Sequence, residues 1–150
     1  MYSNVRLAGV PPKTLSVSIY VKGFFMLNKK ILKEYSSYLK QVKYKHVLRE
    51  LKLEYCTDDN NIMYCTDDDR TAYIHINIIR IDALQQQKGY GTKVMSDIIK
   101  FADEHQVRLE LYASNTFGSS IERLYRFYGN LGFVWVKGNE DGKMIRPQKK

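Results

Sequence analysis

Apolar and polar residues alternate over positions 15–21 (Leu-Ser-Val-Ser-Ile-Tyr-Val), the pattern of a strand with one face in water. The period then lengthens. Leu27, Ile31, Leu32, Tyr35, Tyr38, Leu39 and Val42 fall on one stripe at about 100° per residue, which predicts a helix from an Asn28 cap to Val42. Residues 47–56, 61–66 and 71–81 read as three successive strands joined by Asp- and Asn-rich turns. In the third, Ile74, Ile76 and Ile78 form one face, and Tyr73, His75, Asn77, Ile79 and Ile81 the other. Helical spacing returns over 92–107, where Val94, Met95, Ile98, Ile99, Phe101 and Ala102 make an apolar face. A strand over 107–113 follows. Ser119-x-x-Glu122 then predicts a capping box for a helix through Asn130, stopped by Gly132. Finally, 133–136 and 143–145 flank Gly138-Asn139-Glu140-Asp141-Gly142, a hairpin signature, and residues 146–150 are expected to fray.

The order is strand, helix, three-strand meander, helix, strand, helix, hairpin. With 150 residues and no linker or low-complexity stretch, one α/β domain is expected, spanning 1–150. A 44% hydrophobic share argues for a packed fold. No apolar run approaches the ~20 residues that span a bilayer, and residues 1–12 lack a signal-peptide layout. A soluble cytoplasmic protein is expected. Cys56 and Cys65 occupy an echoed Tyr-Cys-Thr-Asp-Asp string; if Asn60-Asn61 centres the turn between them they face each other, as reduced thiols. The Asp58-Asp59 and Asp67-Asp68-Asp69 clusters are read as turn chemistry, and no metal site is expected.

Gln86-Gln87-Lys88-Gly89-Tyr90-Gly91 links the Ile-rich strand to the next helix. A strand, a glycine turn and a helix suit an anionic ligand, because the first helical turn has unpaired N–H groups and the positive end of the dipole. Glycine lets phosphate approach without a Cβ in the way. Neither the three-glycine dinucleotide pattern nor a P-loop fits. Gln86-x-x-Gly89-x-Gly91 resembles the pyrophosphate loop of the GNAT superfamily of acyl-CoA N-acyltransferases. Tyr128-Gly129-Asn130-Leu131-Gly132-Phe133 is similar to that family's Y-x-x-x-G-F ending, and Asn115 stands where many members carry an asparagine after the fifth strand. The resemblance covers about 60–146.

It implies a largely antiparallel mixed sheet with helices on both faces, and acetyl-CoA as cosubstrate. The main chain of Gln87, Lys88, Gly89, Tyr90, Gly91 and Thr92 would hold the pyrophosphate, with Gln86 ordering the turn and Lys88 and Lys93 adding charge. Ile79 and Ile81 would pair with the pantetheine arm. Acetyl transfer to an amine needs a base for the amine and an acid for the leaving thiolate. The resemblance places Tyr128 as that acid. His75, eleven residues before Gln86, stands where histone-acetylating relatives carry their glutamate base, and imidazole titrates near neutrality. Glu54, Glu110 or a water chain are the alternatives. His46 and His105 read as surface residues.

The formal charge of +8 is uneven: residues 1–50 hold ten basic and two acidic residues, and the rest of the chain balances. Lys29, Lys33 and Lys40 share a stripe opposite the apolar one. In the relatives this segment walls the acceptor groove. A basic wall repels polycationic amines and favours an acidic protein or aminoacyl-tRNA as acceptor, reached by direct attack without a covalent enzyme intermediate. The bland alternative is a solvated helix face. The rival functions are a catalytically silent acyl-CoA-binding module and a basic nucleic-acid-binding protein. A homodimer is compatible with the family.

Overall fold

The computed structural model describes residues 27–57, 72–114, 120–138 and 142–149. Strands expected at 15–21 and 61–66, Cys65, both Asp clusters, Asn115 and Ser119 lie outside the described residues, as does the hairpin tip at 139–141.

Helix α1 (Lys29–Tyr38) begins where the Asn28 side chain accepts a hydrogen bond from the Ile31 N–H at 2.9 Å. Such a cap contributes about 1 kcal/mol. Ile31, Leu32 and Leu39 are buried, as the stripe requires. The helix does not continue regularly to Val42. Residues Leu39–Lys43 form a π turn, closed by the Tyr44 N–H on the Leu39 carbonyl at 2.8 Å. One extra residue per turn moves the stripe out of phase, so Val42 stands 60% exposed while Tyr44 is buried.

Strand β1 (Leu48–Thr57) pairs antiparallel with β2 (Ala72–Ile81). The ladder is irregular twice. The two steps from Leu48 to Glu50 on β1 meet a single step from Ile81 to Arg80 on β2, and Lys52 and Leu53 pair with Ile78 and Ile76, leaving Asn77 as the extra residue. A bulge reverses the alternation beyond it. Ile79 and Ile81 therefore join Ile74 and Ile76 against the core, and Ile78 does not. The single alternating face Ile74–Ile76–Ile78 expected from the sequence is corrected accordingly.

After β2, a 3₁₀ turn (Ala83–Gln85) and the glycine loop lead into helix α2 (Tyr90–Glu104). Its buried face is Val94, Met95, Ile98, Phe101 and Ala102. Strand β3 (Arg108–Tyr112) runs parallel to β2, and helix α3 (Ile121–Asn130) precedes β4 (Val134–Trp135) and β5 (Lys143–Arg146). The sheet order is β1-β2-β3-β5-β4, with every pair except β2–β3 antiparallel. Leu48, Ile74, Ile76, Leu109, Glu110, Leu111 and Met144 are its buried side chains. Helices α1 and α2 pack together: Tyr35 stacks on Phe101 with ring centroids 4.0 Å apart and planes 9° off parallel.

Three local expectations change. The α3 cap is Ser120, whose hydroxyl accepts from the Arg123 N–H at 3.2 Å; two serines stand in succession at 119–120, and the pattern alone does not say which one caps. Arg146 does not fray. Its guanidinium grips Asp103 at 2.7 and 3.3 Å and donates to the Leu131 carbonyl at 3.1 Å. His105 is 8% exposed, not a surface residue: it packs on Phe101 and its Nδ1 donates to the Phe101 carbonyl at 2.9 Å. No helix among the described residues is long and apolar enough to cross a membrane.

Candidate active site

The loop after β2 is strained where a ligand could approach. Gln87 has φ +63° and Gly89 φ +82°. Left-handed backbone costs a non-glycine residue ~1–2 kcal/mol, so Gln87 stores strain that Gly89 avoids. The Gln86 side-chain amide donates to the Ile81 carbonyl at 3.2 Å, tying loop to strand. Lys88 reaches back to Gln85 at 3.4 Å, and the Lys93 ammonium lies 5.2 Å from the centre of the Tyr90 ring.

The start of α2 has no help from its own side chains. Gly89 is the N-cap, no side chain caps the helix, and its first turn holds no acid. The Lys93 N–H is bonded to the Gly89 carbonyl at 3.2 Å; the N–H groups of Tyr90, Gly91 and Thr92 precede it and find no acceptor within the helix. A Cβ built on Gly89 or Gly91 meets nothing within 4 Å. Gly89 is explained by its backbone angle. Gly91 is not, since it is helical and the protein leaves space where its side chain would be. Unpaired donors, a positive helix end and an open cradle together fit a phosphate-bearing group.

The strand feeding this loop parts from its parallel neighbour. β2 and β3 pair only from Tyr73–Ile76 against Arg108–Leu111, whereas β2 runs on to Ile81. Among the described residues, β1 alone accompanies it there. The resulting gap exposes one main-chain edge of 77–81, which suits an extended amide-containing arm. The Ile81 carbonyl already accepts from Gln86, so Ile79 lies better placed for such pairing.

His75 sits within the paired stretch, one residue before Ile76, between Glu54 of β1 and Glu110 of β3. Its ring lies 5.4 Å from that of Tyr112. Neither neighbouring carboxylate is a ready base. Glu110 is 4% exposed and is held by Arg108 at 2.7 Å and Lys143 at 3.3 Å. Glu54 accepts a hydrogen bond from the Asn77 side chain. Tyr128, on the last turns of α3, packs edge-on against Phe127 and Phe133 at 5.2 and 5.7 Å. Burial raises its pKa, which keeps the phenol protonated. Lys29, Lys33 and Lys40 are exposed on α1 and the π turn. A groove of 640 Å³ between the C-terminal half of α2 and the end of α3, lined by Ser96, Ile99, Asp103, Glu104 and Leu131 among others, contains none of the catalytic, cofactor-binding or acceptor-binding residues expected from the sequence.

No sequence pattern singles out Asp97. Its Oδ2 accepts from the Tyr44 hydroxyl at 2.5 Å and pairs with the Lys43 ammonium at 2.8 Å, and its carbonyl accepts from the Tyr35 hydroxyl at 2.9 Å. All three partners come from the α1 segment, whose approach to α2 no local pattern encodes.

No protein-family model matches the chain, and no curated protein matches its sequence. Solved structures do. AtaT in complex with acetyl-methionyl-tRNAfMet is 13% identical, over 85% of this chain and 86% of that one, with a TM-score of 0.47. The KacTA–DNA complex is 14% identical over 83% of each, with a TM-score of 0.46. A histone acetyltransferase HPA2-related acetyltransferase from Corynebacterium glutamicum is 14% identical over 93% and 91%, with a TM-score of 0.43.

Proposed function

We propose that this chain, GNAT-like in the order and pairing of its elements, is an N-acetyltransferase that moves an acetyl group from acetyl-CoA to a primary amine. The observation that carries this reading is the uncapped, glycine-lined start of α2 at the end of a strand split from its parallel neighbour. Acetyl-CoA, when bound, supplies an activated thioester.

The chain's own residues do the rest. The N–H groups of Tyr90, Gly91 and Thr92 hold the pyrophosphate, with Gln86 fixing the loop and Lys88 and Lys93 nearby as counter-charge. Ile79 aligns the pantetheine arm along the open strand edge, with Ile81 beside it; Asn115 belongs to the same proposed cofactor set. His75 takes the proton from the amine nitrogen. Glu110 could not do so without breaking two ion pairs. Tyr128 holds a proton at its hydroxyl for the departing sulfur, a role suited to a phenol whose burial keeps it protonated.

We assign an acidic or nucleic-acid-borne acceptor, such as an acidic protein or aminoacyl-tRNA, because Lys29, Lys33 and Lys40 all face solvent. Calorimetric titration with acetyl-CoA, then turnover on an amine panel that includes aminoacyl-tRNA, tests the reading. No acetyl-CoA binding overturns it. Saturable binding without turnover leaves a silent acyl-CoA-binding module. Lys29, Lys33 and Lys40 together changed to Glu should raise acceptor KM, less so as salt rises; efficient acetylation of spermine would overturn the acceptor assignment.

A further inference from the structure

Lys43 and Tyr44 are consecutive, and consecutive residues of an α-helix point about 100° apart. Here both side chains end on one carboxylate oxygen, Asp97 Oδ2, at 2.8 and 2.5 Å. The π turn at Leu39–Lys43 makes this convergence possible, by adding a residue before the chain leaves the helix at Tyr44. The same addition sends Val42 into solvent and leaves Lys40 exposed. Asp97 also anchors α1 itself, through the Tyr35 hydroxyl on its carbonyl, and Tyr35 is stacked on Phe101 one turn further along α2. Asp97 lies two turns into the helix whose first turn forms the anion cradle. One residue of the cofactor helix thus holds both the second half of α1 and the end of the π turn that follows it.

We propose that Asp97 is a positioning residue that fixes the basic α1–π-turn wall to the cofactor helix, setting where an acceptor lying on that wall meets the acetyl group. This rests on the acetyl-transfer reading and assigns the wall's attachment, which that reading leaves open. Asp97 touches neither the cradle nor His75 or Tyr128 among the contacts described. Tyr44 is buried and its hydroxyl faces Asp97, with burial and that carboxylate both raising its pKa, so the phenol stays a donor across the working pH range.

The test compares wild type with Asp97→Ala, Asp97→Asn and Lys43→Met. Two acceptors are used with saturating acetyl-CoA: mixed aminoacyl-tRNA, which is large enough to lie on the wall, and glycinamide, which is not. Amide hydrogen exchange over 39–48 reports attachment independently of activity. For Asp97→Ala, exchange at the Tyr44 and Leu48 amides should quicken and KM for aminoacyl-tRNA should rise about tenfold with kcat held. Glycinamide turnover and acetyl-CoA affinity should stay within twofold. Asp97→Asn keeps an oxygen for Tyr44 and should fall between, close to Lys43→Met. Unchanged exchange in Asp97→Ala overturns the proposal, as does an equal loss on both acceptors, which marks a merely structural role. If wild type binds no acetyl-CoA, the acetyl-transfer reading fails, and the exchange data still decide whether Asp97 holds the wall.

Discussion

Gly91→Ala should strengthen the fold and weaken the ligand. The position is helical, and a Cβ there meets no protein atom within 4 Å. Alanine in place of glycine favours a helix by ~0.5–1 kcal/mol, with the lower end fitting a first-turn site. For a chain of this size that corresponds to a rise in Tm of roughly 1–3 °C. The same methyl occupies the space through which a phosphate oxygen would reach the Gly91 and Thr92 N–H groups. Losing one charge-assisted hydrogen bond costs about 1.5–3 kcal/mol, a loss of roughly tenfold to a hundredfold in acetyl-CoA affinity. Differential scanning calorimetry and isothermal titration on one preparation measure both. The opposite signs matter, because a variant that binds poorly for want of folding could not also melt higher. A raised Tm with unchanged acetyl-CoA affinity would refute the cradle. A lowered Tm would show that the helix start is not open as described.

Tyr128→Phe should leave acetyl-CoA affinity nearly intact and lower turnover by ~10²–10⁴-fold; wild-type turnover would reduce Tyr128 to its packing against Phe127 and Phe133. His75→Gln should remove the acidic limb of the pH–rate profile, and superimposable profiles would exclude His75 as base. His105 carries a pH-dependent stability of its own. Burial lowers its pKa from 6.5, outweighing the bond to the Phe101 carbonyl, so the unfolded chain binds the proton more readily. Its contribution is complete above pH 6.5 and is lost as pH falls below that value through the lowered folded pKa. Replacing it in His105→Phe should flatten the fall in Tm between pH 7.5 and 5.5; an equally steep fall in both proteins would contradict this.

Local chemistry made much of this structure legible. The Asn28 cap, the apolar face of α2 and the strand–glycine–helix order follow from short-range rules, and each appears where the pattern puts it. The losses share a cause. The π turn and the Asn77 bulge each insert one residue, and an insertion shifts phase without altering composition, so Val42 and Ile78 fall on the wrong faces when periodicity is carried straight through. His105 and Arg146 were misjudged because their partners, Phe101 and Asp103, lie on another turn or another element, and burial is decided by what packs on top. At the candidate site the loop could be read from spacing. Asp97 could not, since its role depends on the approach of two helices separated by some fifty residues.

Because β2 and β3 are laced together only over Tyr73–Ile76, the β1–β2 pair and the β3–β5–β4 group meet along a short seam that ends at the gap. A cosubstrate lying in that gap would touch both groups and bind only the folded chain. Such binding stabilises the native state by about 2.7 kcal/mol at a hundredfold excess over Kd. Proteolysis draws on the opened fraction of a protein when opening is fast, and a shift of this size thins that fraction by roughly a hundred. On the acetyl-CoA reading, saturating cosubstrate would slow proteolysis of this chain even with no acceptor at hand.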